Sequence, residues 1–223
     1  MSHELRTPLN AIIGYSELLL EDRVAASQAG AAGDLERIRA AGLHLLTLIS
    51  DVLDLSKIEA GGMTLLPESV SVQASLDSAA AIARPLMANN RNRFEVRGPA
   101  VPCWVRADPT RLRQCLLNLL SNAAKFTRDG EVRLEVEAAG AVVHFHVTDT
   151  GIGIPAERLH LLFQSFVQLP GTDRFRGGTG LGLVISQKLA RLMHGDVTVR
   201  SEAGRGSTFT LTIPADLAAG RAA

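Results

Sequence analysis

The sequence predicts an α+β protein, with an antiparallel helical hairpin first and an α/β domain after it. Before residue 62 apolar residues recur at helical spacings, and Tyr15 is the only aromatic residue before Phe94. Later, alternating strand-like runs, glycine-rich turns and helical stretches follow one another. At 223 residues the chain has room for two small domains.

Charge divides the chain at the same place. Its 23 basic and 23 acidic residues give a formal net charge of +0, which argues against a broad nucleic-acid-binding surface. Residues 1–62 hold nine acidic and five basic residues, so the first part carries −4 and the rest +4. No apolar run approaches the roughly 20 residues that span a bilayer, so we expect no membrane contact within these residues. Cys103 and Cys115 fit neither a zinc site nor a redox pair and are interpreted as reduced and structural.

A first helix is predicted over Leu5–Leu20. Its apolar side, about 80° wide at 100° per residue, is formed by Leu5, Leu9, Ile12 and Leu19. His3 and Thr7 fall on the opposite side and are expected to face solvent. Pro8 lies inside this helix, where we expect it to kink or loosen the turn.

A second helix is predicted after a turn at residues 25–33, with Asp34 as its N-cap and Gly61–Gly62 as its end. A heptad seam is formed by Leu35, Ile38, Gly42, Leu45, Ile49, Val52 and Ser56. Two helices cannot bury such stripes alone. We therefore predict a homodimer through residues 5–58, in which two hairpins make a four-helix bundle.

A polar row lies on a third predicted helix, Asp108–Thr127, which Asp108-Pro109 opens as N-cap and first residue. Asn118, Asn122 and Lys125 span about 60° at 100° per residue, opposite the apolar side. Amide oxygens suit a hard divalent ion and lysine suits phosphate. The row therefore predicts a ligand-binding surface.

Glycine-rich segments follow at three places. The first, Asp149–Pro155, ends a predicted hairpin of strands 131–137 and 142–148. The second, Gly177–Leu183, opens a helix over Leu183–Leu192, where free N–H groups and the helix dipole favour phosphate. The third, Gly204–Phe209, leads into a final strand over residues 208–213. A P-loop signature is absent from the sequence.

The eight residues His3–Asn10 (HELRTPLN) resemble the phosphoacceptor box of bacterial sensor histidine kinases. The resemblance implies that His3 attacks the γ-phosphate of ATP and that Glu4 is the base that takes its proton. It also implies that Thr7 orients a water molecule when a phosphorylated partner is dephosphorylated.

The later segments resemble the nucleotide boxes of the same family, in the family's order. These are the N box at 118–127, the first glycine box at 149–155, the F box at 162–168, the second glycine box at 178–183 and a last segment at 204–209. The resemblance implies an α/β sandwich of the histidine-kinase, gyrase and chaperone ATPase type. Two departures occur: Gln164-Ser165 stands where an acidic residue and proline are usual, and Met193-His194-Gly195 replaces Met-Gly-Gly.

The resemblance gives each nucleotide-site residue a role. Asp149 would recognise the adenine amine, with Gly151 and Gly153 shaping its pocket and Thr208 lining the adenine end. Asn122, together with Asn118, would hold Mg²⁺. Phosphate oxygens would be bound by Lys125, Thr179 and the backbone of Gly180 and Gly182.

Residues 156–177 would form a mobile lid over the nucleotide. Arg174 and Arg176 lie in it, and a solvated basic loop is the favoured interpretation over a contact with the γ-phosphate.

By this resemblance the chain divides into a dimerisation and phosphotransfer domain at 1–62, a hinge at 63–67, a catalytic ATP-binding domain at 68–216 and a tail at 217–223. We expect a cytoplasmic protein-histidine kinase that passes its phosphoryl group to an aspartate of a response-regulator receiver domain. A phosphatase-dominant or scaffold-type member of the family stays open as an alternative. A related ATPase class is disfavoured because those proteins lack the histidine box.

The chain starts two residues before His3, whereas such kinases carry several helical turns upstream. We interpret the sequence as a piece of a longer protein. The sequence does not decide whether that protein has a membrane anchor upstream. The expectation is that this piece binds ATP normally but phosphorylates itself poorly, because His3 lies in a first helical turn that frays.

Overall fold

The structure, a computed structural model, describes residues 2–21, 28–167 and 179–219. The chain separates into two compact units, residues 1–61 and 62–223. No helix within the described ranges is long and apolar enough to cross a membrane.

The first unit is a hairpin of two helices, α1 (Ser2–Glu21) and α2 (Gln28–Glu59). The helices run antiparallel, since Ile12 lies opposite Gly42 while Tyr15, further along α1, lies 5.3 Å from the guanidinium of Arg37. A Cβ at Gly42 would make an ordinary van der Waals contact with Ile12 Cδ1 at 4.0 Å, so the packing at this point does not require glycine. The α1 helix continues through Pro8 without an interruption. The predicted first helix is therefore confirmed.

The start of α2 corrects the sequence interpretation. Residues 28–33 are helical, so the turn is shorter than predicted and Asp34 lies inside the helix rather than capping it. Alanines at positions 29, 31 and 32 have the highest helix propensity and outweigh the glycines at 30 and 33.

The predicted heptad seam is also shifted. Leu48 and Leu55 are the most buried side chains of α2, at 1% and 8% exposure, although the seam did not include them. Leu35 and Ile49, which it did include, are 58% and 43% exposed. The apolar residues of α2 therefore form two stripes, one buried in the hairpin and one exposed. The larger exposed side chains of this second stripe are Leu35, Leu43, Leu46, Ile49 and Leu53.

The second unit is built on a five-stranded sheet in the order β2-β4-β5-β7-β6. Its strands are β2 (Arg93–Arg97), β4 (Glu131–Ala139), β5 (Val142–Asp149), β6 (Asp196–Glu202) and β7 (Gly206–Pro214). Only β2 with β4 is a parallel pair among them. A separate antiparallel pair is formed by β1 (Glu68–Ser71) and β3 (Trp104–Ala107).

Three helices cover one face of this sheet: α3 (Val72–Asn89), α4 (Pro109–Phe126) and α5 (Gly182–Leu192). Side chains alternate along the strands, so that one set is buried against the helices and the other is polar. The core between sheet and helices contains Leu76, Met87, Leu112, Leu116, Leu119, Leu120, Leu134, Phe145, Leu189 and Leu211. The predicted α/β sandwich is thus confirmed.

The predicted hinge at residues 63–67 is partly fixed to the second unit. The backbone N–H of Leu66 donates to Oδ2 of Asp108 at 3.1 Å. The other oxygen of Asp108 caps α4 by accepting from the N–H groups of Thr110 and Arg111, as predicted for this N-cap. A hinge at this joint would therefore lie before Leu66.

The end of α5 explains how the Met193-His194-Gly195 departure is accommodated. The N–H of His194 donates to the carbonyl of Arg191 and that of Gly195 to the carbonyl of Ala190, which is the Schellman pattern. His194 occupies the left-handed position, with φ of 61°. Gly195 is required for another reason, since a Cβ there would collide with the carbonyl of Thr212.

Candidate nucleotide site

The polar row of α4 is half-buried, and its members have different surroundings. Asn118 donates from Nδ2 to Oγ of Ser186 on α5 at 2.9 Å. Asn122 makes no side-chain hydrogen bond with any residue in the described part of the chain. Nζ of Lys125 lies 4.9 Å from the centre of the Phe126 ring. The row is therefore an open polar edge at Asn122 and a fixed contact at Asn118.

Asp149 is a buried carboxylate at the end of β5, with 5% of its surface exposed. Its Oδ1 accepts from the N–H of Gly151 at 2.8 Å, and Oγ of Thr127 lies 3.5 Å away. Burial raises the pKa of this carboxyl, while hydrogen bonds from Gly151, Ser207 and Thr127 act in the opposite direction. A carboxylate oxygen in such a place is suited to accept a hydrogen bond from a ligand.

Contacts within the protein require glycine at two positions of the first glycine box. A Cβ on Gly151 would collide with the carbonyl of Phe126 at the end of α4. Gly153 has φ of +61°, and a Cβ there would collide with the carbonyl of Glu202. The N–H of Gly204 in turn donates to the carbonyl of Ile152 at 2.8 Å. The box is thus clamped between α4 and the β6–β7 turn, which places Asp149 firmly.

The second glycine box is described from Thr179 onward; Gly177, Gly178, Arg174 and Arg176 lie outside the described residues. Thr179 is buried, and its Oγ accepts from the N–H of Leu181 at 3.0 Å. Gly180 has φ of +68°, and its carbonyl accepts from the N–H of Phe166 in the F box at 3.2 Å.

The first turn of α5, which starts at Gly182, has no side-chain cap. The N–H groups of such a turn are available to an anion.

The predicted lid has a regular part. Residues Ala156–Leu161 form a 3-10 helix that packs against β6, rather than an unstructured start to the lid. The next part of the predicted lid, residues 162–167, is also described, whereas its remaining residues, 168–177, lie outside the described residues.

Thr208 lies on the opposite face of the sheet from Asp149. Thr208 lies across from Thr148, and their hydroxyl oxygens are 3.1 Å apart on the polar face of the sheet. Asp149 is next to Thr148 in sequence, so it points to the opposite face. Ser207 pairs with Asp149 and is 7% exposed, so Ser207 rather than Thr208 shares a face of the sheet with Asp149.

Ser207, Thr127 and Ser186 are the site residues that the sequence reasoning missed. The alternation of Ser207 with Phe209 and Leu211 was a signal that Ser207 faces the helices. No local pattern pointed to Ser186, whose hydroxyl contacts a residue 68 positions away.

His3, Glu4 and Thr7 lie on α1, and their side chains are outside the described part of the structure.

Two family models match the chain. Residues 1–61 match the His Kinase A (phospho-acceptor) domain, and residues 107–217 match the histidine kinase-, DNA gyrase B- and HSP90-like ATPase. The aerobic respiration control sensor protein ArcB of Escherichia coli is 41% identical over 96% of this chain and 28% of its own length. The circadian input-output histidine kinase CikA of Synechococcus elongatus is 44% identical over 96% of this chain and 29% of its own.

Solved structures agree. Full-length ShkA in complex with AMPPNP has a TM-score of 0.74 at 33% identity, over 96% of this chain and 44% of that one. The chain therefore belongs to the sensor histidine kinases and comprises their phosphoacceptor and ATPase domains. It spans between 11% and 29% of the length of the curated relatives it matches.

Proposed function

We propose that this chain is an ATP-dependent protein-histidine autokinase, which phosphorylates His3 in two-component signalling. The observation that carries the proposal is the cradle of the second unit. One part of this cradle is the buried carboxylate of Asp149. The other part is formed by the open edge of α4 and the uncapped first turn of α5. The histidine box on α1 supplies the matching acceptor.

The cradle suits ATP at both ends of the molecule. The Asp149 carboxylate accepts a hydrogen bond from the exocyclic amine of adenine, next to Gly151 and Gly153. Lys125 and the first-turn N–H groups of α5 bind phosphate oxygens, with Thr179 and Gly180 forming the approach to that turn.

The donor set also fits Mg²⁺, which prefers oxygen ligands and is held largely by substrate phosphates. Asn122 has an uncommitted amide among the described residues, and Asn118 directs Oδ1 away from its Ser186 bond. These two residues would hold the ion, which when bound neutralises charge on the β- and γ-phosphates.

The transfer step needs one nucleophile and one base. A ring nitrogen of neutral His3 attacks the γ-phosphorus, an N–P bond forms, and the P–O bond to ADP breaks with its electron pair leaving on ADP. The proton on the other ring nitrogen passes to Glu4, the adjacent carboxylate. The His3 phosphoryl group then passes to an aspartate of a receiver domain. In the separate dephosphorylating activity Thr7, one helical turn on, orients a water molecule that hydrolyses the phosphoaspartate of the partner to aspartate and phosphate.

We also propose a homodimer through residues 5–58, because the exposed stripe of α2 needs a second hairpin to cover it. A cytoplasmic location is proposed with it, since ATP and the receiver partner are found there. No observation on the described residues favours the phosphatase-dominant or scaffold alternative.

Incubation with γ-³²P-labelled ATP tests the proposal. We expect label that is labile in acid, stable in alkali and lost in His3→Ala. A His44→Ala variant, altered on α2 of the same unit, is the matched control and should keep its label. Label that persists in His3→Ala would place the acceptor elsewhere. Nucleotide binding without any label would favour the scaffold alternative.

A further inference from the structure

Ser186 has a buried hydroxyl group in the second unit, and the phosphotransfer mechanism proposed above does not involve it. It lies on the second turn of α5 with 1% of its surface exposed. Its Oγ accepts a hydrogen bond from Nδ2 of Asn118 at 2.9 Å, and its backbone carbonyl accepts from Sγ of Cys115 at 3.6 Å. One residue of α5 thus meets two residues of α4.

The bond fixes which end of the Asn118 amide faces the nucleotide side. With Nδ2 turned to Ser186, Oδ1 lies beside Gly182, the first residue of α5, so closely that a Cβ at Gly182 would collide with it. The N-terminal turn of a helix carries partial positive charge, which favours an oxygen over an NH₂ group at this point. Reversing the amide would aim two donor protons at the same turn.

Asn122 shows that this arrangement is particular to Asn118. It lies one turn further along α4, and its amide has no such partner among the described residues. An unpartnered amide can turn to suit a ligand, whereas the Asn118 amide is already oriented before one binds.

We infer that Ser186 is a positioning residue, which holds Oδ1 of Asn118 toward the phosphate end of the site so that Mg²⁺-nucleotide meets an oriented acceptor. This inference rests on the proposed function for the identity of the ligand. The hydrogen bond itself does not depend on it.

Two variants remove the hydroxyl in different ways. Ser186→Ala deletes it, and Ser186→Cys keeps the volume but replaces it with a weak acceptor. Cys115→Ala is the matched control. It removes the other contact between α4 and Ser186 and leaves the hydrogen bond between Asn118 Nδ2 and Ser186 Oγ intact.

The first measurement needs neither nucleotide nor metal. In protein labelled with ¹⁵N-asparagine, the Asn118 side-chain NH₂ resonances should shift and exchange faster in Ser186→Ala and Ser186→Cys, and stay in place in Cys115→Ala. Unchanged resonances in both Ser186 variants would overturn the inference.

The second measurement is calorimetric binding of AMPPNP, with Mg²⁺ and with EDTA. We expect both Ser186 variants to bind Mg²⁺-AMPPNP about tenfold more weakly, the effect of losing one oriented hydrogen-bonding group, and metal-free AMPPNP within about twofold. In an Asn118→Ala background Ser186→Ala should add less than twofold, because its effect passes through that amide. Additive losses would overturn the inference. A wild-type chain that binds no AMPPNP would refute the proposed function instead. The side-chain resonances of Asn118 would then still test the role of Ser186.

Discussion

Oδ1 of Asp149 accepts the backbone N–H of Gly151, two residues further along the chain, at 2.8 Å. The same oxygen lies 3.5 Å from the hydroxyl of Thr127, which is fully buried at the end of α4. This small network joins the sheet, the first glycine box and the helix that carries the polar row. A change at Asp149 therefore tests ligand binding and the electrostatics of burial together.

We predict that Asp149→Asn weakens ATP binding by at least tenfold, about 1.4 kcal/mol, because an amide cannot offer the adenine amine a carboxylate acceptor. Calorimetry with AMPPNP measures this. Asp129→Asn, at an exposed turn outside the site, is the control and should bind as the wild type does.

The pH dependence of the same variant has a defined sign. Burial raises the folded-state pKa of Asp149 above its unfolded value, so the native state binds the proton more tightly. The destabilising effect of the ionised carboxylate is complete above the folded pKa and disappears as the pH falls below the unfolded value of about 3.9. As the pH is lowered from 7 toward 4, we expect the free energy of unfolding of the wild type to increase relative to that of Asp149→Asn. Urea titrations measure this, and a gap that moves the other way would contradict the assignment.

The Schellman turn after α5 predicts a stabilising substitution. His194→Gly removes the cost of a side chain at φ of 61°, about 1 kcal/mol, which corresponds to roughly 2–4 °C in Tm. Gly195→Ala, one residue on, should instead lower Tm, because its Cβ would meet the carbonyl of Thr212. Calorimetric melting measures the Tm of both variants. If both substitutions shift Tm equally, then neither the positive φ at position 194 nor the collision at position 195 determines the change.

The exposed stripe of α2 predicts the effect of placing a charge in the proposed dimer interface. Leu46 and Leu53, seven residues apart and 60% and 54% exposed, lie on one helix face. We expect Leu46→Glu combined with Leu53→Glu to halve the mass measured by light scattering, because two buried carboxylates per chain would lack partners. Val101→Glu, equally exposed but in the second unit, should leave the mass unchanged. A double variant that keeps its mass would mean that this stripe is not the interface.

The two cysteines should differ in reactivity. Burial raises the pKa of Cys115 to about 12, whereas Cys103 is only half-buried and its pKa is raised less. We expect Ellman's reagent at pH 8 to modify one thiol per folded chain, and none in Cys103→Ser. Cys115 should react only after unfolding. Rapid modification of two thiols in the folded chain would show that α4 and α5 separate readily.

Local chemistry made much of the fold predictable. Asp108-Pro109 marked the start of α4 because a capping carboxylate followed by proline has few other uses. The start of α2 was missed because helix propensity and turn propensity compete in an Ala- and Gly-rich stretch. Motif likeness pointed to Thr208, whereas strand alternation indicates that Ser207 is the residue that shares a face of the sheet with Asp149.

Long-range contacts were beyond sequence reasoning. The Asn118–Ser186 bond and the collision with Glu202 that keeps position 153 a glycine both depend on how distant elements pack. Such packing leaves no period in the sequence. The sequence could therefore suggest candidate ligand groups but not the residues that hold them.

The order of the strands has a consequence for how the second unit folds. β4 with β5 and β6 with β7 are hairpins whose partners are close in sequence, so each can form early. The β5–β7 pairing joins them through contacts such as that between Thr148 and Thr208, which are 60 residues apart. Closing that loop costs entropy before any contact repays it. We expect this seam to form last, so that a nascent chain completes the edge around Asp149 only after β7 has been synthesised.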